Sequence, residues 1–278
     1  MSKKNPPFVI AYDFDGTLAP GNMQEYDFVP ALDIQPEAFW AETNRLSQEQ
    51  QADPILTYMR LMIEKAAAAR VPVRKEDFMR FGAGIDFFPG VTEWFERINT
   101  YGEKRGLQVL HYIISSGLRE MIEGTSIHRH FHRVYASGFM YDHNGVAAWP
   151  ALAINYTTKT QYLFRINKGS LDVHDNSLIN KFVHPDERPV PFANMVFIGD
   201  GETDIPCMRL VKDQGGHSIA VYPPDKQDAK SQARRLVEER RAHLAAVADY
   251  SAGQPLDLAI QAMIDMAAAR RTLMDLGS

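Results

Sequence analysis

The sequence predicts an α/β fold, a doubly wound parallel sheet interrupted by an inserted helical unit, and three observations carry that prediction. Several short apolar runs end abruptly in Asp, Ser or Gly; helical patterns lie between them; and residues 20–88 break the alternation with helices alone. With 278 residues, 45% of them apolar and 23% charged, the chain can bury a full core, as one large domain with an insertion or as two domains.

Residues 8–12, Phe-Val-Ile-Ala-Tyr, form the first run, and its near lack of polar residues is the pattern of a strand buried on both faces of a parallel sheet. Three more runs read the same way: 109–114, closing on Ser115-Ser116-Gly117; 195–198, closing on Gly199-Asp200-Gly201; and 218–222, closing on Pro223-Pro224. Residues 133–136 make a weaker fifth strand. Between strands, 91–100 follows the helix start signal Pro89-Gly90. Within 20–88, helices are expected over 36–50 and 55–70. In the second, Ile55, Met59, Met62, Ile63 and Ala66 recur at helical spacing, and Pro72 ends it. That stripe reads as the packed interior of the insert, not as a cofactor box. Farther on, 139–143 and 146–149 flank Asn144-Gly145, a two-residue hairpin signal. From Asp225 onward two helices are expected, the last with Leu256, Ile260, Met263 and Ala267 as its apolar stripe.

The formal net charge of −5 is spread along the chain, which lacks the basic footprint that a nucleic-acid polymer demands. Lys3 and Lys4 precede an apolar run too short for a signal peptide, and no segment approaches the roughly 20 apolar residues of a membrane helix. Cys207 is the lone cysteine, so an internal disulfide is excluded and a reducing cytoplasm is the expected compartment.

Polar clusters sit where the strands end, the place where such sheets collect ligands. Asp13-Phe14-Asp15-Gly16-Thr17 follows the first strand directly. Residues two apart in a strand-to-loop turn can face one pocket, so one carboxylate can attack while the other moves a proton. The plain alternative is a polar strand end that caps a turn. Gly199-Asp200-Gly201-Glu202-Thr203-Asp204 adds carboxylates that, with Asp13, make an all-oxygen set suited to Mg²⁺; the alternative is an Asp-Gly turn before a capped helix. Ser115-Ser116-Gly117 offers a hydroxyl and backbone amides for phosphate, or a routine helix cap. Lys159 stands before a helix, where a cation can neutralise phosphate and crowded carboxylates; most lysines are solvated instead. His128, His130 and His132 alternate without an acidic or Cys partner and read as a polar approach to a strand, Cys207 as a buried helix residue, and Glu202 as rim.

In this order the clusters resemble the four motifs of the haloacid dehalogenase superfamily. Asp13-x-Asp15-Gly16-Thr17 resembles motif I, Ser115 motif II, Lys159 motif III and Gly199-Asp200-Gly201-x-x-Asp204 motif IV, and the helical stretch between the first two is similar to the cap of the phosphoserine phosphatase-like branch. The resemblance implies a Rossmann-like core over 1–19 and 89–278 with a helical cap over 20–88. It implies a Mg²⁺-dependent phosphatase for a small phosphate monoester, with Asp13 as nucleophile and Asp15 as general acid, then base. Asp13, Asp200 and the Asp15 backbone carbonyl would hold the metal, with Asp204 as ligand or support. Ser115, the backbone at Ser116 and Gly117, and Lys159 would hold the phosphoryl oxygens, while Asn22 and Glu25, in the loop leaving motif I, are candidates for substrate recognition. Asp15 argues against the dehalogenase and phosphonate-cleaving branches, which lack that acid; a phosphomutase, or a catalytically silent protein on this fold, remains as the alternative.

Overall fold

The apolar run at residues 8–12 becomes β1 (Pro7–Tyr12), the middle strand of a seven-stranded sheet. The computed structural model describes residues 5–277, so Lys3 and Lys4 lie outside the described residues. The other strands are β2 (Gln108–Leu118), β3 (Phe131–Tyr141), β4 (Ala147–Leu152), β5 (Met195–Gly199), β6 (His217–Tyr222) and β7 (Leu244–Val247). Their order is β4-β3-β2-β1-β5-β6-β7, parallel throughout except for the β3–β4 pair. The winding reverses at β1, which lies between β2 and β5. In a sheet of this kind that reversal opens a crevice beyond the carboxyl ends of the strands.

Four helices separate β1 from the next layer helix: α1 (Phe28–Ala31), α2 (Pro36–Gln50), α3 (Pro54–Ala69) and α4 (Lys75–Ala83). Asp53 caps α3 by accepting the Ile55 and Leu56 amides, and Pro54 occupies the first helical position, where no N–H is missed. Then come α5 (Val91–Glu103), α6 (Arg119–Gly124), α7 (Lys159–Lys168), α8 (Ile205–Asp213), α9 (Gln227–Glu238) and α10 (Pro255–Gly277). Alternate β1 side chains feed two cores. Phe8, Ile10 and Tyr12 pack with α5, α10 and the helices of 20–88; Val9 and Ala11 pack with α7, α8 and α9.

Three local expectations change. Residues 133–136 and 139–143 read as separate strands in the sequence, but β3 carries the first and continues into the second as far as Tyr141, pairing with β2 by one end and β4 by the other. The hairpin turn is longer than two residues: Asp142 Oδ1 accepts the Asn144 and Val146 amides, and Gly145 takes φ +75°. Between α9 and α10 lies β7, Leu-Ala-Ala-Val, whose short alanine-rich sequence carries little strand propensity and which is held by pairing with β6.

Behind β1 runs a buried polar string. Trp94 Nε1 donates to the Tyr12 hydroxyl at 2.8 Å, so that hydroxyl in turn donates to His111 Nδ1 at 2.9 Å, which leaves His111 Nε2 to donate to Asn99 Oδ1 at 3.0 Å. His111 is thereby neutral. Burial, with a smaller push from His130, lowers its pKa to about 3. The unfolded chain binds that proton below about pH 6.5 and the folded chain does not, so stability is lost as pH falls from about 6.5 toward 3. Between pH 7.5 and pH 5 the native protein is expected to lose about 2 kcal/mol more than His111→Gln, which keeps donor and acceptor but cannot titrate. Denaturant titration of both proteins at the two pH values tests this. Parallel losses would mean that His111 takes up its proton in the fold as readily as in the unfolded chain.

Candidate active site

Asp13 is the first residue past β1 and Asp200 the first past β5. Because these strands are neighbours, with Tyr12 opposite Ile198, both carboxylates emerge at one edge. The Asp13 amide donates to the Ile198 carbonyl at 2.9 Å, extending the ladder by one step, and Oδ1 accepts the Phe14 amide at 2.8 Å. Gly16 has φ +71°, and a Cβ there would collide with the Asp200 carboxylate, so only glycine lets these two loops meet. Asp15 Oδ1 accepts the Met23 amide at 2.9 Å, which ties this loop to the start of the helical segment.

Lys159, the first residue of α7, is wholly buried, with Nζ 2.9 Å from Asp13 Oδ2 and 2.7 Å from Asp204 Oδ1. The second Asp204 oxygen accepts the amides of Asp200 at 3.2 Å and Gly201 at 3.5 Å. Asp204 therefore braces the Asp200 loop as well as the lysine. Ser115, buried on β2, accepts the Gly117 amide on Oγ at 3.1 Å and faces the same cleft.

Burial alone would lower the Lys159 pKa, but Asp13 and Asp204 outweigh it and hold the ammonium above its ordinary range. The acids move the other way. Burial, reinforced by Asp13, pushes Asp15 well above the carboxylate range, and burial with Asp204 and then Asp13 does the same to Asp200. Asp204 is pushed up to about 6 by burial and Asp13, against the pull of Lys159. One buried ammonium thus faces four carboxyl groups. Among the described residues, Asp13, Asp200 and Asp204 form a group whose oxygens lie within 4.8 Å of one another, a donor set that could hold a hard metal ion and whose mutual repulsion such a cation would relieve.

The cleft over these groups measures about 810 Å³. Its floor is formed by Asp13, Asp15, Ser115 and Asp200, Asn22 and Ile55 reach it from the helical segment, and its outer wall is the start of α9 with Lys226 and Asp228. Glu202 lies on the rim. Glu25 is placed differently from Asn22: its Oε1 accepts both Asn22 Nδ2 and Trp40 Nε1 at 2.6 Å, so it fastens Asn22 to α2, and Asn22 is the one that lines the cleft. His130 stacks on Phe95 and His132 packs against Tyr112. Cys207 is buried in α8, where burial pushes its thiol far above the ordinary range.

One residue that shapes the approach to Lys159 gives no usable signal in the sequence. Asn155 accepts the Thr157 and Thr158 amides on Oδ1, shaping the turn that launches Lys159, while its Nδ2 donates to Asp53 Oδ2 at 2.8 Å. Asp53 is legible as a helix cap, but its second task joins positions far apart in the chain.

This fold and site define a class, and comparison with known proteins identifies it: residues 10–209 match the haloacid dehalogenase-like hydrolase family, and the chain belongs to that family. An uncharacterized protein of Borreliella burgdorferi is 28% identical over 289 aligned positions, covering 92% of this chain and 96% of the relative. Among solved structures, the fold is similar to a haloacid dehalogenase family hydrolase of Salmonella enterica serovar Typhi (TM-score 0.57, 15% identity, 91% of this chain and 69% of that one). It is also similar to a substrate-bound phosphoserine phosphatase (TM-score 0.53, 14% identity, 86% and 92%) and a probable phosphoserine phosphatase of Vibrio cholerae (TM-score 0.56, 13% identity, 97% and 69%). Among the described residues, no helix is long and apolar enough to cross a membrane.

Proposed function

We propose that the protein is a Mg²⁺-dependent phosphatase that hydrolyses a small-molecule phosphate monoester through an aspartyl-phosphate on Asp13. The observation that carries this reading is the convergence of Asp13, Asp15, Asp200 and Ser115 on one cleft, with the buried Lys159 ammonium against Asp13, so that a proton carrier, a cation and an all-oxygen donor set surround a single carboxylate. Asp13 and Asp200, with the Asp15 backbone carbonyl, would hold Mg²⁺, which would neutralise phosphoryl oxygens; Asp204, both of whose oxygens are engaged, serves as support.

Ser115 and the backbone after it hold the phosphoryl oxygens opposite Lys159. A carboxylate oxygen of Asp13 attacks phosphorus, and as the O–P bond forms, the bond to the leaving oxygen breaks and Asp15 gives that oxygen its proton. Asp15, now ionised, takes a proton from water; the water oxygen attacks phosphorus, phosphate departs and Asp13 is restored. Phosphoryl transfer asks mainly for positioning and charge neutralisation, which these groups supply.

Residues 20–88 are proposed to act as the cap over a core of 1–19 and 89–278, with Asn22 and Ile55 meeting the leaving group. The single cysteine suits a cytoplasmic protein. Purified protein with Mg²⁺ is expected to release phosphate from members of a broad ester panel. Chelation should abolish this release, and Asp200→Ala should show little of it at any Mg²⁺ concentration. An empty panel would favour a silent protein on this fold, and full activity after exhaustive chelation would remove the metal from the mechanism.

A further inference from the structure

The peptide between Ser116 and Gly117 is oriented from an unexpected quarter. Here β2 bulges: Ile114 pairs with Tyr135 and Leu118 with Ser137, so three β2 residues stand opposite one on β3. The Ser116 carbonyl, inside the bulge, accepts two hydroxyls instead. Tyr58 of α3 donates to it at 2.8 Å and Ser137 of β3 at 3.1 Å. Ser137 Oγ itself accepts the Ile154 amide at 3.0 Å, which commits its own proton to the Ser116 carbonyl.

A trans peptide is planar, and its N–H points opposite to its C=O. With the carbonyl held outward by two hydroxyls, the Gly117 N–H is turned to the cleft side, where its present partner is Ser115 Oγ at 3.1 Å. Flipping this peptide would strip two buried donors of their acceptor and turn an oxygen toward any phosphate. Gly117 also has no room for a side chain, since a Cβ would press on Met23 and the Asp15 carboxylate.

We propose that Tyr58 and Ser137 are positioning residues for phosphate: by clamping the Ser116 carbonyl they aim the Gly117 amide at the phosphoryl oxygens, so that the docked α3 helix completes the phosphate-binding loop. The inference rests on the phosphatase reading above. It places the link between helical segment and chemistry in one peptide group. Tyr58 is suited to this because its ring is fixed edge-on against Trp40 at 5.8 Å and its hydroxyl is buried and stays protonated.

The test uses inorganic phosphate as the probe, in Mg²⁺ buffer, as an inhibitor of aryl phosphate hydrolysis. Tyr58→Phe keeps the ring and removes one hydrogen bond, so phosphate inhibition should weaken about fivefold and kcat should fall in step, with the thermal midpoint nearly unchanged. Ser137→Ala should act in the same direction, and the double variant should lose more than either. Unchanged phosphate inhibition in Tyr58→Phe and in the double variant would overturn the proposal, as would a fall in thermal midpoint with inhibition intact, which marks a merely structural contact. If the wild-type protein neither hydrolyses the ester nor binds phosphate by calorimetry, the phosphatase reading itself fails and this inference falls with it.

Discussion

Asp13→Asn is expected to abolish turnover, by at least about a thousandfold, while leaving the fold intact or firmer. The amide is nearly isosteric but a poor nucleophile, and it keeps an oxygen for the Phe14 amide. The effect on stability follows from the same crowding that prepares the site. The charge on Asp13 raises the pKa of Asp15, Asp200 and Asp204, so each of them is destabilised by it, and its removal lightens that load. Lys159 loses one partner but keeps Asp204 at 2.7 Å. In the presence of chelator, the variant should therefore melt no lower than the native protein, an instance of a site whose function costs stability. Phosphate release and thermal melts on the same preparations decide both halves. Near-normal turnover would mean that another group attacks, and a large drop in melting temperature would mean that Asp13 is a structural acid held in place by Lys159.

Much of the sheet was legible because its signals are local. The runs at 8–12 and 195–198 are almost wholly apolar, and the run before Ser115 departs from this only at His111; a parallel strand buried on both faces has to look like this. Asp13 and Asp200 were legible for a related reason: each directly follows such a run, and the carboxyl end of a strand is where a doubly wound sheet exposes polar groups. Lys159 drew its meaning only from its order among the other motifs, since nothing around it tells a buried lysine from a solvated one. Where the determinant is a partner distant in sequence, the signal vanishes. The strand state of β7 comes from β6, the length of β3 from its two different neighbours, and the role of Tyr58 from a carbonyl 58 residues away. Glu25 shows the opposite hazard: an acid beside motif I suggests substrate, yet its hydrogen bonds run to Asn22 and Trp40.

Replacing Lys159 by Met should damage both catalysis and stability, and a second substitution should separate them. Among the described residues its ammonium is the one cation bonded to both Asp13 and Asp204, with all three side chains buried or nearly so. Removing one partner of such a group leaves charges without compensation, which typically costs about 3 to 5 kcal/mol. Loss of one electrostatic stabiliser of the transferring group costs about 2 to 4 kcal/mol in kcat. The stability loss should also grow with pH. Asp204 already titrates near 6; without Lys159 it rises further, and a carboxyl whose folded-state pKa lies above its unfolded value withdraws stability as pH climbs from about 4 through that folded value. Adding Asp204→Asn removes the stranded charge and should return a large part of the stability, with a flatter dependence on pH. Turnover should stay low, because the charge that the proposed mechanism sets against the phosphoryl oxygens is still missing. A double variant that recovers turnover along with stability would show that Lys159 serves the fold alone, and a single variant that only raises KM would place it in binding the ester, not in the transfer step.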